Sequence, residues 1–202
     1  MPEYYHEIIT KKSFETLQDL KRKFKFILIG GWAVFMYTRA FKSKDIDLIL
    51  DYDELEKFKK NFDIFKNERL KKYEAKIEEI DVDIYLPFYS NLGLAVEEIQ
   101  KYCQSREGFL VPIPEILLIL KTYVFKERQG TTKGKKDLID IFSLLTKDSI
   151  DWQKYKELVE KYNLEKINEE LKNLVSSQTA IPELNLLNHQ IAKLKRKVLK
   201  NL

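Results

Sequence analysis

A chain of 202 residues that is 44% apolar and 12% aromatic can bury a substantial core, in one domain or in two small ones. Its apolar runs, such as residues 116–120, are far too short to span a bilayer, and the opening "MPEYYHEIIT" has acids where a secretion signal has a basic region, so no membrane and a cytoplasmic location are expected. The lone Cys103 excludes an internal disulfide and a multi-cysteine zinc site, the two distant histidines, His6 and His189, argue against a histidine metal site, and the net charge of +4 sits in residues 183–202, with five basic residues against one acid.

Taken in chain order, residues 3–22 show helical periodicity through Tyr5, Ile8, Ile9, Phe14, Leu17 and Leu20, and "KFILI" at 25–29 is a short strand. Gly30 and Gly31 punctuate a strand-to-helix turn before a short helix over 32–39. "DIDLIL" at 45–50 alternates, which places Asp45 and Asp47 on one face. Asp53 is the expected N-cap of a helix reaching about Phe62. Residues 70–86 read as a hairpin or meander ending at Pro87, with Asp81 and Asp83 opposite Ile80, Val82 and Ile84. After Leu92 the pattern turns helical, with a helix over 92–103, then an extended "FLVPIP" at 109–114 that can return a strand to the first sheet, and helices near 115–128, 134–146, 151–161, 165–175 and 183–200. The fold class is therefore α+β: a small mixed-sheet core with flanking helices over residues 1–110, then an all-helical domain over 111–202.

A carboxylate inside apolar neighbours is costly to desolvate unless it is paired or holds a metal. Residues i and i+2 of a strand lie roughly 6.5–7 Å apart with parallel side chains, so Asp45 and Asp47 can converge on one small, hard cation. Asp83, with Asp81 as its rival, can add a third carboxylate from a neighbouring strand, a set suited to Mg²⁺ or Mn²⁺. Magnesium held this way usually also binds substrate phosphates. The Gly30-Gly31 turn supplies the complement, since a turn without side chains lets backbone amides approach a triphosphate. Separately, each feature has a plain structural explanation: a tight turn, or acids decorating a strand end. Together and in this order they point to an NTP site.

Gly30-Gly31, then Asp45-Ile46-Asp47-Leu48, then Val82-Asp83-Ile84 resembles the signature of the DNA polymerase β-like nucleotidyltransferase superfamily. The resemblance implies that Asp45, Asp47 and Asp83 hold two divalent metals while an NTP passes its nucleoside monophosphate to a hydroxyl acceptor. "PEILLILKTYVFKERQGTTKGKKDLIDIFSLL" at 114–145 resembles the helical region of the AbiEii-like toxin nucleotidyltransferases, in which Lys121, Lys136, Asp137 and Asp140 match recurrent positions and would serve the nucleotide. An interhelical salt-bridge cluster is the structural alternative for the same four residues. Two departures stand out. Ser43 keeps a hydroxyl position but Phe41 stands where relatives carry arginine, with Arg39 and Lys42 nearby, and no serine follows the first glycine.

The resemblance to toxin nucleotidyltransferases implies an antitoxin partner, as in a toxin-antitoxin pair, and protein is one candidate acceptor; a basic face on the last helix that tracks RNA would make tRNA the other. In the last helix, Leu187, Ile191, Leu194 and Val198 form a seam while Lys193, Lys195, Arg196, Lys197 and Lys200 form a basic face, which fits packing within its own domain or tracking of an RNA backbone. A glycosyltransferase would leave the glycine pair and third acid without a role. A haloacid-dehalogenase-type phosphatase needs an apolar strand where "FKSK" stands. A catalytically inactive, antitoxin-like module that binds nucleotide or partner is the remaining alternative.

Overall fold

In the computed structural model, residues 3–147 and 149–202 are described, with side chains from Glu7 onward. Tyr5 and His6 of the predicted first helix are outside the described side chains. The chain forms two compact units, Met1–Ile113 and Pro114–Leu202. Among the described residues no helix is long and apolar enough to cross a membrane.

The first unit opens with α1 (Glu3–Lys23), whose buried positions Ile9, Ser13, Leu17 and Leu20 recur at helical spacing. β1 (Ile27–Ile29) runs directly into α2 (Gly30–Thr38), a largely buried helix. β2 (Ile46–Ile49) and α3 (Tyr52–Lys59) follow. The residue at the N-cap of α3 is Asp51, and Asp53 falls in the first turn, where its charge favours the helix dipole. The sequence expectation of Asp53 as cap is thus off by two residues. β3 (Ile64–Asn67), β4 (Lys72–Ile77) and β5 (Ile80–Tyr85) make the meander, of which sequence reading located only the last two strands. The predicted helix over 92–103 is only α4 (Val96–Ile99) with a 3₁₀ turn at Gln100–Tyr102, leading into β6 (Cys103–Arg106) and β7 (Phe109–Pro112).

These strands form one mixed seven-stranded sheet in the order β3-β4-β5-β2-β1-β7-β6. β2 lies at its centre, antiparallel to β1 and parallel to β5. Ile46, Leu48, Ile49 and Leu50 are all buried, which covers the central strand on both faces except at Asp47. β7 pairs parallel with β1 through Ile27 and Leu110, so "FLVP" does return to the first sheet. α1 is pinned to α2 by the Trp32 indole, which donates to Ser13 Oγ at 2.9 Å with both side chains buried.

The second unit consists of helices α5 (Pro114–Glu127), α6 (Thr132–Thr146), α7 (Trp152–Lys161), α8 (Glu165–Ser177) and α9 (Asn188–Leu199), with a 3₁₀ turn at Pro182–Leu184. Thr131 caps α6 by accepting from the Gly134 amide at 3.0 Å, and Asp151 caps α7 by accepting from the Lys154 amide at 3.0 Å. The Asp151 amide in turn donates to the buried Glu115 carboxylate at 2.6 Å, which ties the start of α7 to α5. In α9, Ile191 and Val198 are buried while Leu187 is exposed, and Lys195 donates to the Ser176 carbonyl at the end of α8.

Replacing Trp32 with Phe strands the buried Ser13 hydroxyl at the α1–α2 junction. The expected cost is about 2 kcal/mol, a fall in Tm of roughly 4–8 °C for a chain of this length, read by thermal melting.

Candidate active site

The site is built at the junction of β1 and α2 with β2 and β5. Antiparallel pairing sets Ile29 opposite Asp47, which delivers the next residue, Gly30, against the Asp47 side chain. Gly30 has φ +67°, a left-handed conformation that a side chain disfavours. A Cβ on Gly30 would fall within 2.6 Å of Asp47 Cγ and 2.9 Å of Asp47 Cβ, closer than real contacts allow. The turn is therefore side-chain-free on two independent grounds, and the second is the aspartate itself. Gly31 is buried in the first turn of α2.

Parallel pairing of β2 with β5 sets Asp47 in register with Asp83. Of the two acids on β5, Asp83 is thus the one beside Asp47, while Asp81 is exposed and opposite Lys76. Asp45 precedes β2 by one residue and is half-buried, like Asp47 and Asp83. Ser43 is buried at 1% exposure. Arg39, at the end of α2, pairs with Glu107 and lies over the Phe35 ring.

Two residues that sequence reading missed complete the row. Antiparallel pairing of β4 with β5 sets Glu74 opposite Asp83, so Glu74, Asp83 and Asp47 stand side by side on three adjacent strands. Lys72, two residues before Glu74 and on the same face, is only 9% exposed. Its ammonium bonds Asp83 Oδ2 at 2.6 Å and Glu74 Oε1 at 2.9 Å. Burial works against that charge, but the two carboxylates outweigh it and hold the ammonium pKa above its ordinary value. The alternation in "KYEAKI" signals that 72 and 74 share a face; only the strand register shows which acid they meet. Among the described residues, no three Asp, Glu, His or Cys side chains gather closely enough to hold a metal ion as a ready cage. Cys103 is no candidate nucleophile, since burial pushes its thiol up to about 12.

The remaining predicted residues lie in the second unit. Lys121 on α5 bonds Asp137 Oδ1 at 2.9 Å and Asp140 Oδ2 at 2.7 Å on α6, and Arg128 reaches Asp137 Oδ2 at 3.4 Å. Asp137 and Asp140 are 3% and 2% exposed, and Lys121 is buried with them. Burial opposes the Lys121 charge, yet its two carboxylates more than compensate and hold it ionised. Lys136 on the same helix is half-exposed.

No family model and no curated protein matches the sequence. Solved structures do. The fold is similar to that of ANT(2'')-Ia in complex with adenylyl-2''-tobramycin, at TM-score 0.56 and 16% identity over 77% of this chain and 97% of that one. It is also similar to JHP933 from Helicobacter pylori, at TM-score 0.53 and 14% identity over 100% of this chain and 93% of that one. A match to the Megavirus polyadenylate synthase has TM-score 0.46 and 14% identity, with 71% of this chain spanning only 31% of that one. The chain therefore shares its fold with ANT(2'')-Ia and JHP933.

Two outcomes follow from this geometry. Gly30→Ala combines backbone strain with a collision at Asp47, at a cost of about 2–4 kcal/mol, visible as a lowered Tm. Lys121→Met leaves the buried Asp140 carboxylate without its lysine and Asp137 with only Arg128, at 3.4 Å, and costs about 3–5 kcal/mol, whereas combining Lys121→Met with Asp137→Leu and Asp140→Leu recovers most of that loss in the same melting assay.

Proposed function

We propose that this chain is a metal-dependent nucleotidyltransferase that moves a nucleoside monophosphate from an NTP to a hydroxyl acceptor. The observation that carries the reading is the contact between Gly30 and Asp47. The left-handed Gly30 brings the backbone turn hard against a carboxylate on the central strand, and α2, whose first amides lack helical partners, begins at that same turn. Anion-binding backbone next to cation-binding carboxylate is what a metal-bound triphosphate requires.

The donor chemistry fits a hard divalent ion such as Mg²⁺ or Mn²⁺. Asp45 and Asp47 offer carboxylate oxygens, and one or two carboxylates plus substrate phosphates suffice for Mg²⁺. When bound, such an ion neutralises triphosphate charge and favours ionisation of the acceptor hydroxyl. Gly30 and Gly31 admit the phosphates, and Asp45 and Asp47 fix the position of the reacting group. Asp83 is the third carboxylate of the set and Asp81, facing solvent, its rival. In the transfer itself the acceptor oxygen bonds the α-phosphorus, the bond to the β-phosphate oxygen breaks, and pyrophosphate leaves. Ser43 and, in the second unit, Lys121, Lys136, Asp137 and Asp140 are assigned to nucleotide binding by resemblance alone. A tRNA acceptor is suggested by the basic face of the last helix, Lys193, Lys195, Arg196, Lys197 and Lys200, with protein as the other acceptor class, and a role as the toxin of a pair with an antitoxin rests on the same resemblance over residues 114–145.

A second reading, a module that binds nucleotide or partner without transfer, is favoured by one observation: the Lys72 ammonium seated on Asp83.

Both readings are separated by incubating the purified chain with each α-labelled NTP, Mg²⁺ and total cellular RNA or protein. Transfer predicts a labelled macromolecule with pyrophosphate released, and Asp47→Asn lowers the rate by at least about 100-fold. Full labelling by Asp47→Asn refutes the transfer site, and nucleotide retention without label supports the binding module.

A further inference from the structure

Lys72 is the most unusual charge in the first unit: a lysine almost withdrawn from water, bonded to the third acid of the proposed site and to a fourth, Glu74, that no motif marks. Its position is fixed by the sheet. Lys72 and Glu74 share a face of β4, Glu74 is opposite Asp83, and Asp83 is in register with Asp47. The ammonium therefore stands over the acid that a two-metal arrangement would use. An ammonium and a divalent ion bonded to the same carboxylate would place like charges side by side with little water between them. Lys72 has little freedom to withdraw, because its side chain is only 11% exposed and its second partner, Glu74, belongs to the same cluster.

We infer that Lys72 acts as a built-in cation at Asp83, so that the chain holds one divalent ion, through Asp45 and Asp47, with Lys72 supplying the positive charge that a second ion would otherwise bring. This deepens the nucleotidyltransferase reading and rests on it. Lys72 is then a positioning residue: it holds the Asp83 carboxylate in place beside Asp47. Glu74 is the second partner of the ammonium, at 2.9 Å.

The test is a Mn²⁺ titration of the full chain saturated with a non-hydrolysable NTP analogue, with free ion counted by electron paramagnetic resonance and the titration of the analogue alone subtracted. The wild type is expected to bind one ion. Asp83→Asn keeps an oxygen acceptor for Lys72 and is expected to bind that ion with an affinity within about 3-fold of wild type, while Asp47→Asn weakens it by at least about 10-fold. Lys72→Met, paired with Glu74→Gln to limit the unpaired charge, is expected to gain a second ion. Two ions on the wild type, or an Asp83→Asn loss as large as that of Asp47→Asn, overturns the inference and leaves the nucleotidyltransferase reading standing. Unchanged binding by Asp47→Asn overturns both. Thermal melting of each variant confirms that the folded chain is what was titrated.

Discussion

Asp47 lies against a residue that has no side chain, and the rest of the site depends on that contact. The contact is a consequence of register: β1 ends opposite Asp47, so the chain must turn into α2 where the carboxylate projects. A one-residue slip would turn Asp47 into the core and bring Leu48 to the turn. The burial of Ile46, Leu48 and Leu50 on the face opposite Asp47 opposes that slip, because it would set the carboxylate in their place. The hydrophobic effect thus fixes the position of a charge that it would otherwise exclude.

The two units use a buried lysine in different ways. In the helical unit Lys121 and its partners Asp137 and Asp140 are enclosed, and the cluster locks α5 to α6. In the sheet unit Lys72 is equally withdrawn, but its partners Glu74 and Asp83 are half-buried and adjoin Asp47. Enclosure makes a charge cluster a fastening whose loss is felt as instability. Partial exposure beside further acids makes it a means of setting local charge where a ligand can reach.

Much of the site was legible because it obeys short-range rules. Period-two alternation put Asp45 with Asp47 and Asp81 with Asp83, and the glycine pair after an apolar strand marked the turn. The elements that escaped were those set by distant neighbours. β3 buries none of its four residues fully and becomes a strand only by pairing with β4. The segment at 92–103 has helical spacing but keeps only one α-helical turn and a 3₁₀ turn before the chain enters β6 at Cys103, because β7 offers an edge and four paired positions outweigh a marginal helix.

By itself the sequence determined which residues could do chemistry and which faces they share, since those follow from residue type and backbone period. Only the tertiary structure decided that Asp83, and not Asp81, stands beside Asp47, that Glu74 joins the row, and that Lys72 occupies the third acid. The reason is that strand register is fixed by burial summed across the whole sheet, a quantity that no local stretch of sequence contains.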